Sequence, residues 1–146
     1  MAVDETEDRT KNDAKSEGRQ SSPSKRVLLI DDNALQLRVR ETILREAGFL
    51  VDVATSADAA LALLKSEPLA SNIGTVVTDH VLTGASGADV VRELRLSHPK
   101  LPVIVITGMP GAEDEYEGLN IQFRPKPCPP AELIALVRAC IQAYAA

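Results

Sequence analysis

The sequence predicts one α/β domain built on a doubly wound, five-stranded parallel sheet, and three observations lead to this prediction. Short apolar runs alternate with segments of helical periodicity along most of the 146 residues. Strands that alternate with helices indicate βαβ units and therefore a parallel sheet. Acidic residues follow the first and third runs at the ends where such a sheet binds its ligands. Five strands suit the order 2-1-3-4-5, whose switch point lies between strands one and three.

The predicted strands are short segments in which apolar residues run almost without interruption, as is typical of strands covered on both faces. The first contains Val-Leu-Leu-Ile, and the fourth, Pro-Val-Ile-Val-Ile-Thr, is the most strand-like run in the chain. The fifth is shorter and has a weaker pattern. The predicted strands cover residues 27–31, 49–54, 75–79, 102–107 and 121–124.

Helices are predicted between and after these strands, because apolar residues recur there every three or four positions. They cover residues 34–47, the segment that begins after Ser56, residues 86–97 and residues 129–144. Ser56 is the expected N-cap of the second helix, and Gly48 is expected to end the first. The first helix is expected to face the core with one apolar stripe. This stripe consists of Leu35, Val39, Ile43 and Ala47. The other helices are expected to bury Ala57, Ala60, Leu61, Leu64, Val90, Val91, Leu94, Leu133, Leu136, Val137, Cys140 and Ile141.

The segment 108–120 interrupts this alternation where a further helix is expected. It holds three glycines and a proline around the acidic stretch Glu113-Asp114-Glu115. Glycine and proline are unfavourable inside a helix, so one or two turns around residues 112–117 are all that the segment predicts. The fourth helix of the fold is therefore expected to be shortened or missing.

The composition argues against several classes of function. A net charge of −5 and an isoelectric point near 5.0 disfavour nucleic-acid binding, which requires a basic face. No apolar run approaches the ~18 residues of a membrane-spanning helix, and the N-terminus lacks the apolar core of a secretory signal. Residues 1–24 are polar and are expected to form a disordered tail before a domain at 25–146. Cys128 and Cys140 lack metal-ligand or redox spacing, so a cytoplasmic protein with reduced thiols is expected.

Three carboxylates and one lysine are the candidate chemical groups. Asp31 and Asp32 follow the first predicted strand and Asp79 ends the third. Lys126 follows the fifth strand, so all four groups are expected in one crevice at the sheet edge. Close carboxylates repel each other unless a cation sits among them, and Mg²⁺ prefers oxygen ligands. The pattern predicts a Mg²⁺ site in which Asp79 attacks a phosphoryl group. Lys126 and the hydroxyl of Thr107 would stabilise the transferred oxygens.

Each of these residues also has an ordinary interpretation. An Asp pair after a strand is often a helix N-cap, Asp79 could cap a turn, and Lys126 could be a surface lysine. Separately the signals are weak, but their shared position at strand ends favours the site. His80 is interpreted as a surface histidine without a role, rather than as a group that positions water.

Together, these motifs resemble the receiver domain of bacterial two-component response regulators, which has a flavodoxin-like fold. The resemblance covers roughly residues 25–144. The short segment at 108–120 is similar to the corresponding segment in receiver domains of hybrid histidine kinases. The motifs that carry it are Leu-Leu-Ile-Asp-Asp-Asn at 28–33, Val-Thr-Asp-His-Val-Leu-Thr-Gly-Ala-Ser-Gly at 77–87, Val-Ile-Thr-Gly at 105–108 and Lys-Pro at 126–127.

The resemblance implies a phospho-acceptor and a Mg²⁺ site. Asp79 takes the place of the acceptor. Asp31 and Asp32 correspond to the acidic pair, with Asp32 the more direct metal ligand and Asp31 acting largely through water. The backbone carbonyl of Val81 would complete the metal shell together with Asp79.

The resemblance also implies a switch. Thr107 matches the hydroxyl residue that turns toward the phosphoryl group, Lys126 matches the lysine that pairs with it, and Phe123 matches the aromatic switch residue. The Lys126-Pro127 bond matches one that is usually cis. Gly87 matches the glycine that opens helix three.

The implied partners are a histidine kinase or phosphotransfer protein as phosphodonor and a downstream protein as target. No output domain follows in the sequence, so direct DNA contact is not expected, and the only catalysis expected is the domain's own phosphorylation and dephosphorylation. The shortened segment lies on the family's dimerisation face, so the standard dimer is not expected. Leu82-Thr83 replaces the usual Met-Pro, which is expected to loosen that loop.

Two alternatives remain at this stage. A pseudo-receiver would bind partners without turning over phosphate, although the complete set of acidic residues, Thr107 and Lys126 argues against it. Small phosphohydrolases of the haloacid-dehalogenase type also use an aspartate nucleophile and Mg²⁺. They place that nucleophile in Asp-x-Asp after the first strand, whereas Asp31 and Asp32 are adjacent.

Overall fold

A five-stranded parallel sheet forms the centre of the computed structural model, which describes residues 25–145. Its strands are β1 (Arg26–Ile30), β2 (Leu50–Ala54), β3 (Ile73–Asp79), β4 (Val103–Thr107) and β5 (Gln122–Pro125). Their order is β2-β1-β3-β4-β5, and all neighbours pair in parallel. The predicted fold and strand order are confirmed. The predicted tail at 1–24 lies outside the described residues.

Helices cover both faces of this sheet: α1 (Ala34–Glu46), α2 (Ala57–Leu64), α3 (Gly87–Ser97) and α4 (Pro130–Ala145). Polar side chains cap the first three, since Asn33, Ser56 and Ser86 each accept a hydrogen bond from a first-turn N–H. The predicted N-cap at Ser56 is confirmed. A one-turn helix at Leu69–Asn72 precedes β3, and the strands Val81–Leu82 and Ala85–Ser86 form a small hairpin after it.

β1, β3 and β4 lie inside the sheet, and their side chains form much of the core. Consecutive side chains of a strand point to opposite faces. Val27 and Leu29 of β1 therefore pack with α1 and α4, whereas Leu28 and Ile30 pack with α2 and α3. β3 is buried along all 7 of its residues. Its last residue, Asp79, therefore emerges at the middle of the carboxyl edge of the sheet.

The predicted core positions of α2, α3 and α4 are confirmed. Leu61, Leu136 and Ile141 are partly buried against the core. The fully buried positions are Ala57, Ala60, Leu64, Val90, Val91, Leu94, Leu133, Val137 and Cys140.

The buried face of α1 differs from the prediction, which was wrong here. Leu37 and Leu44 are buried, whereas Leu35 and Val39 of the predicted stripe are 73% and 49% exposed. Arg40 lies between the two buried leucines at helical spacing, and its side chain is only 12% exposed. Because Arg40 is charged, the helix face that contains it did not look like a core face in the sequence. The neighbouring stripe, which is entirely apolar, was therefore predicted to face the core.

A short 3₁₀ helix at Ala112–Tyr116 occupies the place of the fourth helix, which confirms the predicted shortening. Gly111 and Gly118 flank it with φ angles of 79° and 80°, a left-handed conformation that favours glycine and ends helices. Arg95 of α3 fixes the chain beyond it. Its guanidinium donates hydrogen bonds to the carbonyls of Leu119 at 2.9 Å and Asn120 at 3.0 Å.

The expectations about membrane-spanning helices and about the two cysteines both concern described residues. Across residues 25–145, no helix is long and apolar enough to cross a membrane. Cys128 and Cys140 are free thiols, and burial raises the pKa of both. A raised thiol pKa disfavours the reactive thiolate, so packing suffices to explain both residues.

Candidate functional site

The carboxyl edge of the sheet brings the predicted site residues together. Asp31 directly follows β1, Asp79 ends β3, Thr107 ends β4 and Lys126 directly follows β5. Asp31, Asp79 and Thr107 are almost fully buried. The crevice is therefore polar but largely withdrawn from water, which strengthens the interactions of any charge in it.

Asp79 is held through both of its carboxylate oxygens. Oδ2 accepts a hydrogen bond from Nζ of Lys126 at 2.9 Å, and Oδ1 accepts one from the backbone N–H of His80 at 3.0 Å. Lys126 is in turn fixed by its own backbone, whose N–H donates to the carbonyl of Thr107 at 3.0 Å. Its peptide bond to Pro127 is cis, as the resemblance implied.

Asp31 is a buried carboxyl group close to a second one. Burial raises its pKa above the ordinary 3.8, and the negative charge of Asp79 raises it further. The backbone N–H of Asn33, which donates to Oδ1 at 2.9 Å, and the cations Arg40 and Lys126 act in the opposite direction. The pocket thus holds two mutually repelling carboxylates, an arrangement that an added cation stabilises.

Asp32 and Val81 lie on the open side of the pocket, and both side chains are exposed. The Asp32 carboxylate accepts a hydrogen bond from the hydroxyl of Thr83, in the hairpin that follows β3. Thr83 therefore ties that loop to the end of β1, contrary to the expectation that Leu82-Thr83 loosens it.

The donor set fits Mg²⁺, although the protein side chains do not form a closed cage. Within residues 25–145, no group of three or more Asp, Glu, His or Cys side chains converges in a metal-binding arrangement. Mg²⁺ is commonly bound through one or two carboxylates and keeps several waters. The coupled pair Asp31 and Asp79, with the exposed Asp32 beside it, supplies oxygen ligands of this kind.

Thr107 is the last residue of β4 and carries a hydroxyl group. Its Oγ1 accepts a hydrogen bond from the backbone N–H of Met109 at 3.1 Å. Thr107 and Phe123 both line a cavity of about 230 Å³, together with Met109, Gly111 and Lys126. The hydroxyl residue and the half-buried aromatic residue thus border one space.

A family model described as the response regulator receiver domain matches residues 27–138 of this chain. The chain belongs to this family. The receiver domain is 32% identical over 120 residues to the cell cycle response regulator CtrA of Brucella ovis, covering 80% of this chain and 50% of that protein. It is 29% identical over 130 residues to the alkaline phosphatase synthesis transcriptional regulatory protein SphR of Synechococcus elongatus, covering 84% and 51%. The chain spans about half the length of these relatives.

Solved structures agree with this assignment. A response regulator receiver protein from Sinorhizobium medicae WSM419 has a TM-score of 0.73 at 32% identity, covering 83% of this chain and 97% of that chain. A CheY-like receiver domain protein from Methanospirillum hungatei JF-1 has a TM-score of 0.76 at 21% identity, covering 84% and 98%. At this low sequence identity, the likeness to the Methanospirillum hungatei structure supports the fold alone. The chain is thus a signalling domain of the two-component type.

Two residues of α1 complete the pocket of this receiver domain and were not predicted. The guanidinium of Arg40 lies 3.4 Å from Oδ2 of Asp31. When its amide is oriented to satisfy both cations, Gln36 accepts hydrogen bonds from Arg40 at 3.0 Å and Lys126 at 3.2 Å. A polar chain therefore joins the two carboxylates. The signal in the sequence was the pair of polar residues at i and i+4 on an otherwise apolar helix face.

His80 is buried in the receiver domain, so its interpretation as a surface residue was wrong. Its Nδ1 lies 2.7 Å from the hydroxyl of Tyr116, and its Nε2 lies 3.2 Å from the Glu115 carboxylate. Tyr116, which the sequence analysis did not single out, packs against Phe123 with 6.2 Å between the ring centroids. The signal for it was an aromatic residue inside an acidic segment, since a buried tyrosine needs a partner for its hydroxyl.

Proposed function

We propose that this receiver domain accepts a phosphoryl group on Asp79 from a histidine kinase or a phosphotransfer protein. The new group changes which proteins the domain contacts. The single observation that supports this most is the contact of 2.9 Å between Asp79 and Lys126, in a pocket that also buries Asp31. A buried carboxylate with a fixed cation beside it is suited to nucleophilic attack on phosphorus.

The proposed reaction is an in-line transfer. An oxygen of Asp79 forms a bond to phosphorus while the bond between phosphorus and the donor atom breaks, and its electron pair leaves with the donor. Lys126 moves from the carboxylate to the phosphoryl oxygens and offsets their charge. Asp31, Asp32, Asp79 and the carbonyl of Val81 would hold Mg²⁺. When bound, that ion would neutralise negative charge on the transferred group.

The proposed switch follows from the added charge. The phosphoryl group offers new hydrogen-bond acceptors. The hydroxyl of Thr107 therefore breaks its hydrogen bond with the N–H of Met109 and turns toward the phosphoryl group. Phe123 then moves into the vacated space. Both states exist before phosphorylation, and the new charge shifts the population between them. Hydrolysis of the acyl phosphate restores the original charge.

The proposal extends to location and partners. A cytoplasmic domain that acts through protein contacts suits the acidic composition, which disfavours a role in DNA binding. The 3₁₀ helix at Ala112–Tyr116 replaces the fourth helix on the face that receivers commonly use for dimers. The standard receiver dimer is therefore not part of the proposal.

The two alternatives are less well supported. A phosphorylation-independent binding module has no need for a buried pair of carboxylates, because burying charge is costly. A haloacid-dehalogenase-type phosphohydrolase would place its nucleophile on the first strand, whereas the best-positioned carboxylate here, Asp79, ends β3.

Site mapping tests the proposal. The domain is incubated with acetyl phosphate and Mg²⁺ and then reduced with borohydride, which converts an aspartyl phosphate to homoserine. Peptide mass mapping is expected to find homoserine at position 79 of the wild type. The Asp58→Asn control, whose substitution lies on the exposed surface of α2, is expected to contain homoserine at position 79 to the same extent. Homoserine at another aspartate, with none at 79, would refute the assignment.

A further inference from the structure

His80 contacts both the phospho-acceptor and the short helix that replaces the fourth helix. Its backbone N–H donates to Oδ1 of Asp79 at 3.0 Å. Its ring, 4% exposed, contacts the hydroxyl of Tyr116 and the carboxylate of Glu115. Across residues 25–145, these are the only side-chain hydrogen bonds between residues 79–86 and residues 108–120.

The partners of the ring favour one tautomer of the neutral imidazole. A carboxylate can only accept, so Nε2 of His80 carries the hydrogen and donates to Glu115. In the neutral ring Nδ1 is then an acceptor, and the hydroxyl of Tyr116 donates to it at 2.7 Å. Each polar atom of the buried pair is satisfied, so displacing either side chain leaves an unpaired group.

Tyr116 is placed to pass on a movement of His80. Its ring stands edge-on to the His80 ring, with 5.5 Å between centroids, and lies 6.2 Å from the ring of Phe123. Its hydroxyl fits beside Gly87, where an added Cβ would lie only 2.6 Å away. Three rings thus form a continuous packed row from the residue after the acceptor to β5.

The other anchors of the short helix come from α3. The guanidinium of Arg92 donates to the carbonyl of Glu115 at 3.1 Å, and Arg95 holds the chain just beyond. These bonds do not involve residues 79–86. Within residues 25–145, the ring of His80 therefore makes the direct side-chain hydrogen bonds between residues 79–86 and the short helix.

We propose that His80 is a positioning residue that couples the phosphorylation state of Asp79 to the 3₁₀ helix Ala112–Tyr116 through Tyr116. This inference rests on the proposed function and specifies how a change at Asp79 reaches the 3₁₀ helix. The carboxylate oxygen that His80 contacts changes charge when the acyl phosphate forms. The backbone of His80 adjusts, its ring moves with it, and Tyr116 follows.

Amide NMR spectra of the ¹⁵N-labelled domain test the coupling, with Mg²⁺ and beryllium trifluoride as a stable phosphoryl analogue. The variants are Tyr116→Phe, which removes one hydroxyl, and Tyr144→Phe, the matched control at the only other tyrosine. The wild type and the control are expected to shift amides at residues 78–80 and at 112–116. Tyr116→Phe is expected to keep the first set and to lose more than half of the second.

His80→Leu must reproduce this loss from the other end of the bond. The double variant His80→Leu/Tyr116→Phe leaves neither partner unsatisfied and serves if a single variant fails to fold. Equal shifts at 112–116 in the wild type and in Tyr116→Phe would overturn the coupling. A wild type that responds at 78–80 but not at 112–116 would also overturn it. The absence of any analogue-dependent shift in the wild type would instead refute the proposed function.

Discussion

Gly87→Ala is the substitution whose effect on stability follows most directly from the packing around Asp79. Gly87 is the first residue of α3, and its N–H donates to the carbonyl of His80. A Cβ at this position would lie 2.6 Å from the carbonyl oxygen of Asp79 and 2.6 Å from the hydroxyl of Tyr116. The first of these atoms belongs to the backbone of a central strand, which cannot yield without moving β3.

The expected change in unfolding free energy is the balance of opposing effects. Replacing glycine by alanine without strain stabilises a protein by about 0.4–1 kcal/mol through the unfolded chain. Overpacking a close-packed site costs about 1–3 kcal/mol. Displacing the hydroxyl of Tyr116 from His80 adds roughly 0.5–1.5 kcal/mol for the lost hydrogen bond. We therefore expect Gly87→Ala to destabilise the domain by about 2 kcal/mol, within a range of roughly 0.5–4 kcal/mol.

Urea unfolding followed by far-UV circular dichroism measures this difference. Gly108→Ala is the matched control, because the nearest atom to its added Cβ would be Cβ of Lys126 at 3.8 Å, an ordinary contact. The control is expected to stay within about 0.5 kcal/mol of the wild type. A Gly87→Ala domain as stable as the wild type would refute the close packing of α3 against Asp79 and Tyr116.

Further predictions concern charge and pH. Because burial raises the pKa of Asp31, its contribution to stability is present in acid and lost as the pH rises through the folded-state pKa. Asp31→Asn should therefore raise the urea midpoint of the metal-free domain near pH ~7. Burial also raises the pKa of Tyr116 above the ordinary 10.0, so stability should fall as the pH rises above that value. Tyr116→Phe should reduce that fall in alkaline urea titrations. Asp32→Ala should weaken Mg²⁺ binding by about tenfold or more in calorimetric titration, and unchanged affinity would place the metal elsewhere. Arg40→Met should tighten Mg²⁺ binding about threefold in the same assay, whereas Arg38→Met, at an exposed position of α1, should not.

The fold and the positions of the candidate site residues were predictable because their signals are local and independent. Each strand is a short apolar run, and each reactive group directly follows one of them. The parallel topology alone then places Asp31, Asp79 and Lys126 at one edge. The segment 108–120 was also predictable, because glycine opposes helix formation whatever surrounds it.

The inward face of α1 and the burial of His80 could not be predicted because both depend on contacts between distant segments. Arg40 points inward because Asp31 compensates its charge, and nothing in the local pattern of α1 encodes that partner. His80 is buried because Tyr116, 36 positions further along the chain, satisfies its ring. Periodicity assigns polar residues to the surface and cannot identify a buried polar pair.

Intact-mass spectrometry tests the central claim most directly. The wild type and Asp79→Asn are incubated with acetyl phosphate, with and without Mg²⁺. A single phosphoryl adduct is expected on the wild type, only with Mg²⁺, and none on Asp79→Asn. An adduct on Asp79→Asn equal to that of the wild type would contradict the assignment. A wild type that neither forms an adduct nor binds beryllium trifluoride would show that the domain acts without phosphorylation.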